Sequence, residues 1–414
     1  MRRFDVVVLG AGMVGLGTAL GLQAKGRSVA LVDRRPPAEE TSYGNAGLIQ
    51  AEAVVPYAFP RQIGTILGVL AGTRTDARVA WKALWRTAPW LLQYARSSEP
   101  AAVMRVAEAN APLVAAAVPA HEALSARAGT EHLWRRTGYV RLHRTQKSLD
   151  AEAASEAAVE ARFGIPHAVW DRARLAEEEP HLRGPFVGGI HMSSPVRILD
   201  PGDLGKGYAE LFMREGGTVV VGDAMGLRRH GEDFALSTPA GLLRAREAVV
   251  CLGPWSGDFL AGFGVRVPLG FKRGYHRHYK SVGNTALNHL VADAAHGYVL
   301  TPNRRGVRLT TGAEFAHRDD PPTPLQLARV EPVAREIFPL GEAIEPAPWV
   351  GTRPCLPDLL PMIGPIPGVS GLWGNFGHHH LGFTLGPATG ALLAQMMVGE
   401  APHTDPAPYR VDRF

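Results

Sequence analysis

The sequence predicts an α/β fold: a parallel-sheet domain assembled from separated pieces of chain, with a strand-rich α+β domain inserted between them. Three observations carry this prediction. A strand, a glycine turn, a helix and a second strand open the chain. Buried strand-like runs return far downstream, at 218–222 and 248–252. Between and beyond them, 134–144 and much of 268–311 alternate in the manner of another sheet.

The opening unit is the most informative. An apolar run (Phe4, then residues 6–9) leads into Gly10-Ala11-Gly12-Met13-Val14-Gly15, a helix-like stretch Met13–Ala24, and a second apolar run at 29–32 ending on Asp33. Gly10 lets the chain turn out of the strand, Gly12 admits a pyrophosphate close to the backbone, and Gly15 lets helix and strand pack closely. The helix N-terminus offers free N–H groups to phosphate, and Asp33 stands where an acid accepts from a ribose hydroxyl. A dinucleotide site is therefore expected here.

Bulk composition sets the frame. At 414 residues the chain exceeds what one hydrophobic core serves, so two domains are expected. With 46% hydrophobic and 20% charged residues and a mean hydropathy of −0.04, the composition is that of a globular protein. The net charge of +5 is modest, and no nucleic-acid-binding module is apparent. Cys251 and Cys355 form no CxxC and no metal spacing, which argues against an iron–sulfur site and for a reducing compartment. Met1-Arg2-Arg3 followed by apolar residues imitates a signal peptide, but Asp5, the glycine turn and the absence of a cleavage-site pattern oppose that reading.

Along the rest of the chain, 36–47 is turn-rich, 60–128 mostly helical and 149–161 helical. Asp200-Pro201 opens a helix to about Glu215, Leu325–Ile337 is another, and the last runs from about Pro387 to Val398. These elements divide into a nucleotide-binding domain in three pieces (1–60, 198–262, 349–414), a substrate domain in two (129–197, 263–348), and a helical segment, 61–128. That segment sets Arg61, Arg74, Arg78, Lys82, Arg86 and Arg96 among Trp81, Trp85 and Trp90. It reads either as solvated helix with core tryptophans or as a membrane-docking insertion.

Four features then fall in order: the glycine turn with Asp33-Arg34; the loop Thr41-Ser42…Asn45-Ala46-Gly47; Ala248-Val249-Val250-Cys251-Leu252-Gly253-Pro254-Trp255; and Gly351-Thr352-Arg353-Pro354…Pro357-Asp358 with Gly377-His378-His379-His380-Leu381-Gly382-Phe383-Thr384. Together they resemble the FAD-dependent amine oxidoreductases of the D-amino acid oxidase and glycine/sarcosine oxidase superfamily, and most nearly its bacterial D-amino acid dehydrogenases. The resemblance spans essentially the whole chain. It implies a discontinuous Rossmann-like FAD-binding domain with an inserted substrate domain.

Residue by residue, the resemblance implies that Gly10, Gly12, Gly15, Asp33 and Arg34 hold the adenosine and pyrophosphate. Thr41, Ser42, Asn45, Ala46 and Gly47 would reach flavin and phosphates, and Met225 would meet the adenine edge. Gly253, Trp255, Gly351, Leu381, Gly382, Phe383 and Thr384 would border the cofactor. Gly351 occupies the place where some relatives carry a flavin-bonded cysteine, so noncovalent FAD is expected. Arg353 would grip the substrate carboxylate. Tyr298 and Tyr275 are candidates to face substrate or simply to fill the sheet. His378 and His380 are expected beside the flavin pocket rather than on a metal, because consecutive histidines point in different directions and no Cys, Asp or Glu completes a set.

The implied reaction is hydride transfer from the amino acid Cα to flavin N5, giving an imino acid that hydrolyses to a keto acid. The amine lone pair drives it, so no protein base is assigned. The electron acceptor is a quinone or oxygen. The neighbouring readings are a D-proline or D-hydroxyproline dehydrogenase, a glycine/sarcosine-type oxidase, and an FAD-binding subunit active only with partners. An NAD-dependent dehydrogenase is opposed by the C-terminal loop. A cytoplasmic location is expected, peripheral on the inner membrane under the docking reading of 61–96.

Overall fold

In the computed structural model, which describes residues 2–414, two bodies share one cavity. The first is built on an eight-stranded sheet. Thr218–Val221, Val29–Asp33, Arg2–Leu9, the end of Gly241–Val250, and Leu372–Phe376 run parallel in that order. These strands are apolar on both sides because both faces are covered: Val6, Val8 and Leu31 pack into one core, Val7, Leu9 and Val32 into the other. Asp233–Thr238 and Met362–Pro365 add antiparallel strands.

Helices Met13–Ala24, Gly382–Met397, Pro100–Ala128 and Pro201–Arg214 form the layer on one face. Two of them cross backbone to backbone. A Cβ on Gly17 would come within 2.5 Å of the Gly386 carbonyl oxygen, and one on Gly390 within 2.3 Å of Gly17. This contact sets the N-terminus of the last helix beside that of the first.

The last helix begins at Gly382, earlier than the Pro387 start expected from sequence. Pro387 lacks the N–H that would bond the Phe383 carbonyl, and the ring of His121 bonds that oxygen instead, Nε2 at 2.9 Å. Asp200 caps its helix as read, its Oδ1 accepting from the N–H groups of Gly202 (2.9 Å) and Asp203 (3.1 Å).

The second body is an eleven-stranded sheet centred on Gly270–Ser281 and covered by helix Leu325–Ile337. It also takes Ala77–Val79, from the segment expected to be helical, and Trp349–Cys355, which the sequence assigned to the nucleotide domain. Pro100–Ala128 in turn belongs to the first body's helical layer. This helix is long and apolar enough to cross a membrane by length and composition. Here its buried face, with Leu113, Ala117 and His121, lies against neighbouring helices.

Candidate active site

A cavity of about 800 Å³ lies at the carboxyl ends of the parallel strands, between them and the second sheet. Gly10, Asp33, Asp223, Cys251 and Gly377, which follow or end five of those strands, all line it.

The nucleotide end is made largely of backbone. Gly10 has φ +102°, and a Cβ there would meet the Cys251 carbonyl oxygen at 2.4 Å. A Cβ on Gly15 would lie 1.7 Å from the Gly10 oxygen, so Gly15 packs the helix onto the turn and does not line the cavity. Asp33 Oδ2 accepts from the Ala11 N–H (2.7 Å), tying the acid to the turn. Arg34 pairs with Glu40 (2.8 Å) and stacks over Trp255, 4.2 Å from its ring centre.

Met225 lines the cavity, but its N–H is bonded to Asp223 (3.0 Å) and its carbonyl accepts from Arg228 (2.7 Å). Only the second lone pair of that carbonyl is left to meet an adenine edge. Gly253, with φ +54°, lines the same wall.

The 41–47 loop joins the two bodies. The Met13 N–H donates to Ser42 Oγ (2.9 Å), while Thr41 donates to the Thr352 carbonyl (3.2 Å) on the second sheet. Asn45 Oδ1 accepts from the N–H groups of Gly47 (2.8 Å) and Leu48 (3.1 Å). Thr41, Ser42, Asn45 and Ala46 face the cavity, whereas Gly47 packs against the Ile198 carbonyl. At the other helix N-terminus, Leu381, Gly382 and Phe383 line the cavity. Thr384 does not; its hydroxyl accepts from the Gln50 N–H (3.1 Å) and is within 3.4 Å of the Leu48 carbonyl.

The end at the second sheet is made of side chains. Arg353 extends over Gly274, where a Cβ would sit 2.7 Å from its guanidinium. It contacts only the carbonyls of Arg273 (3.4 Å) and Gly312 (3.3 Å) and has no carboxylate within ion-pair distance among the described residues. Burial holds its pKa below the usual guanidinium value.

The two tyrosines separate cleanly. Tyr275 borders the cavity, but its hydroxyl donates to buried Glu314 (2.7 Å) and accepts from the Thr323 N–H (2.9 Å), so it is a framework residue. Tyr298 is buried against the cavity, and its hydroxyl has no hydrogen-bond partner among the described residues. Gly351 lines the cavity and leaves room for Trp349, whose ring covers it and stacks on His276 at 4.8 Å.

The three histidines diverge. His378 lines the cavity, and its Nε2 lies 3.1 Å from Thr389 Oγ1 inside the last helix, so that nitrogen is committed to the protein. His379, at φ +55°, accepts from the Leu356 N–H (3.3 Å). His380 faces the cavity against Tyr57, ring centres 4.9 Å apart, and its buried Nε2 has no hydrogen-bond partner among the described residues. Burial pushes its pKa down to about 3, so the ring is neutral at physiological pH. Sequence reasoning missed Lys272 and Trp349 as cavity residues. The signal was present: each lies two residues from a small residue on the same strand face, Gly274 and Gly351.

Two helix N-termini, a glycine turn and an acid beside it fit the phosphates and adenosine of a flavin dinucleotide. The fold and cavity therefore define a flavin-dependent enzyme of two bodies. Residues 5–396 match the family described as DAO, FAD dependent oxidoreductase, and the chain belongs to that family. It is 30% identical over 434 residues to a D-amino acid dehydrogenase of Granulibacter bethesdensis, covering 99% of each chain. It is 28% identical to a D-amino-acid oxidase of Bradyrhizobium diazoefficiens, covering 99% of this chain and 98% of the relative. Among solved structures, glycine oxidase from Geobacillus kaustophilus superposes with a TM-score of 0.75 at 20% identity over the whole of both chains. The cofactor is FAD.

Proposed function

We propose that the chain oxidises a D-amino acid to the imino acid, which hydrolyses to the keto acid, and acts as a dehydrogenase that passes the electrons to a quinone or a similar acceptor. The observation that carries this reading is Arg353, a cavity-facing guanidinium without a carboxylate partner. Its planar fork suits a substrate carboxylate bound bidentately. The D configuration rests on both relatives named above, and the dehydrogenase assignment on the Granulibacter one.

When bound, FAD supplies the hydride acceptor at N5. The chain's own work is orientation and exclusion of water. Arg353 anchors the carboxylate, Tyr298 and His380 offer unpaired polar atoms to the amine or side chain, and Phe59, Val79 and Leu91 wall the cavity with apolar surface. No protein base is needed, because the substrate nitrogen's lone pair assists departure of the Cα hydride. The helix N-terminus at Leu381–Gly382 would favour negative charge on a group bound beside it. Gly351 offers no side-chain atom for a bond to the cofactor, consistent with noncovalent attachment.

The test is anaerobic bleaching of the flavin's visible band by a panel of D- and L-amino acids, glycine, sarcosine and D-proline. Bleaching by D-amino acids, with reoxidation faster by a soluble quinone than by air, is expected. Bound flavin that no D-amino acid bleaches would overturn the reading and favour a partner-dependent subunit.

We also propose that the 61–96 region docks on the inner face of the cytoplasmic membrane. Ile63, Leu67, Trp81, Trp85 and Leu92 are exposed apolar side chains, with Lys82 and Arg86 beside them. Co-sedimentation with anionic vesicles that weakens with salt is expected; indifference to anionic lipid would sink the idea.

A further inference from the structure

The cavity holds a second cation that the reaction above does not use. Lys272 on Gly270–Ser281 is the direct antiparallel partner of Arg353 on Trp349–Cys355, so both side chains rise from the same sheet face into the cavity. Directly opposed residues have Cβ atoms about 5 Å apart, and like charges there repel.

Neither cation has a carboxylate within ion-pair distance among the described residues. The other cations of the lining do: Arg34 has Glu40 (2.8 Å) and Arg141 has Glu152 (2.8 Å). The lining acids nearest this sheet are committed elsewhere, Asp76 to Arg74 (2.6 Å) and Asp293 to Arg144 (2.8 Å). What surrounds Lys272 is aromatic. Its ammonium lies 4.1 Å from the ring centre of Tyr94, 5.7 Å from Trp90 and 5.5 Å from Phe315, and donates to the Tyr94 hydroxyl (3.0 Å). That cage keeps the head out of water and holds it in place, but supplies no negative charge and leaves two of its three N–H groups free. Desolvation, with Arg353 adding to it, lowers the pKa of Lys272, and a bound anion would reverse that.

We propose that Arg353 and Lys272 form a two-cation clamp and that the substrate is a dicarboxylic D-amino acid, its α-carboxylate on Arg353 and its side-chain carboxylate on Lys272. The proposal rests on the D-amino acid reading and goes further, to the substrate's side chain. The experiment uses pairs of equal carbon count on the holoenzyme: D-glutamate against D-norvaline as substrates, and glutarate against pentanoate as spectral titrants of the bound flavin. D-Aspartate is included so that side-chain length is also scanned.

The expected result is a kcat/KM at least about 10-fold higher for the better dicarboxylic substrate than for D-norvaline, and tighter binding of glutarate than pentanoate. In Lys272→Met that substrate ratio should fall roughly 100-fold, and Lys272→Arg should keep most of it. Equal or better use of D-norvaline would overturn the clamp while leaving D-amino acid oxidation standing. So would a Lys272→Met ratio equal to wild type, or a variant that shifts only the flavin spectrum. If no D-amino acid bleaches the flavin, both readings fall. If Lys272→Met does not fold with flavin, the wild-type glutarate and pentanoate titrations decide: equal affinity overturns the clamp, and a glutarate preference supports it.

Discussion

The two ends of the cavity bind by different means. At the nucleotide end the groups on offer are backbone ones: the N–H groups at two helix N-termini, and a turn whose glycines leave the main chain bare. At the sheet end they are side-chain heads, Arg353, Lys272, Tyr298 and His380, held over a glycine-lined floor. Backbone recognition tolerates no added atom but needs no particular charge. Side-chain recognition depends on which heads face one another, and a single truncation removes it.

The sharpest break in this comparison is at Arg353. Arg353→Ala should lower kcat/KM for the D-amino acid by roughly 1000-fold or more, since it deletes the partner of a buried carboxylate. Flavin content should stay near one per chain; steady-state kinetics and the visible spectrum of the purified protein check both.

The converse variant is Gly15→Ala. Its Cβ would fall 1.7 Å from the Gly10 carbonyl oxygen, which cannot yield without moving the turn. The expected outcome is loss of flavin during purification, with affinity weakened on the order of 100-fold, from about 3 kcal/mol of overpacking. Retained flavin at full occupancy, measured by release and absorbance, would show that the turn relaxes elsewhere.

The tyrosine pair gives the smallest and most discriminating effect. Tyr298→Phe removes a hydroxyl with no hydrogen-bond partner among the described residues and should change kcat/KM about 10-fold with stability nearly unaltered. Tyr275→Phe removes a donor to buried Glu314, so it should lower stability by about 2 kcal/mol and leave the kinetics close to wild type. Thermal melts set beside kinetics for the two variants test the distinction; the reverse pattern would exchange their roles.

Much of the nucleotide end was legible because its cause is local. Gly10, Gly12, Gly15 and Asp33 stand within one strand–helix–strand unit, where spacing along the chain is spacing in the fold. The last helix was misread at its start because a proline is a local stop signal. The bond that rescues it comes from His121, distant in sequence and adjacent only after packing. Similarly, Ala77–Val79 becomes a strand because Ala313–Phe315 offers an edge, a cause no local pattern contains. Tyr275 and Tyr298 were indistinguishable as residues in strands; only the position of Glu314 beneath one of them separates framework from cavity.

By itself the sequence determined the class of fold, the glycine turn and its acid, the helix caps such as Asp200, and the arginine of the Gly-Thr-Arg-Pro segment. Each of these is set by residues within a few positions, through steric freedom at glycine, φ at proline, or a side-chain oxygen reaching its own helix. Tertiary structure alone decided which histidine remains unpaired, where Trp349 lies over Gly351, and that Lys272 stands opposite Arg353. Those outcomes follow from strand register and from which buried polar groups find partners, and both are properties of chain segments brought together from far apart.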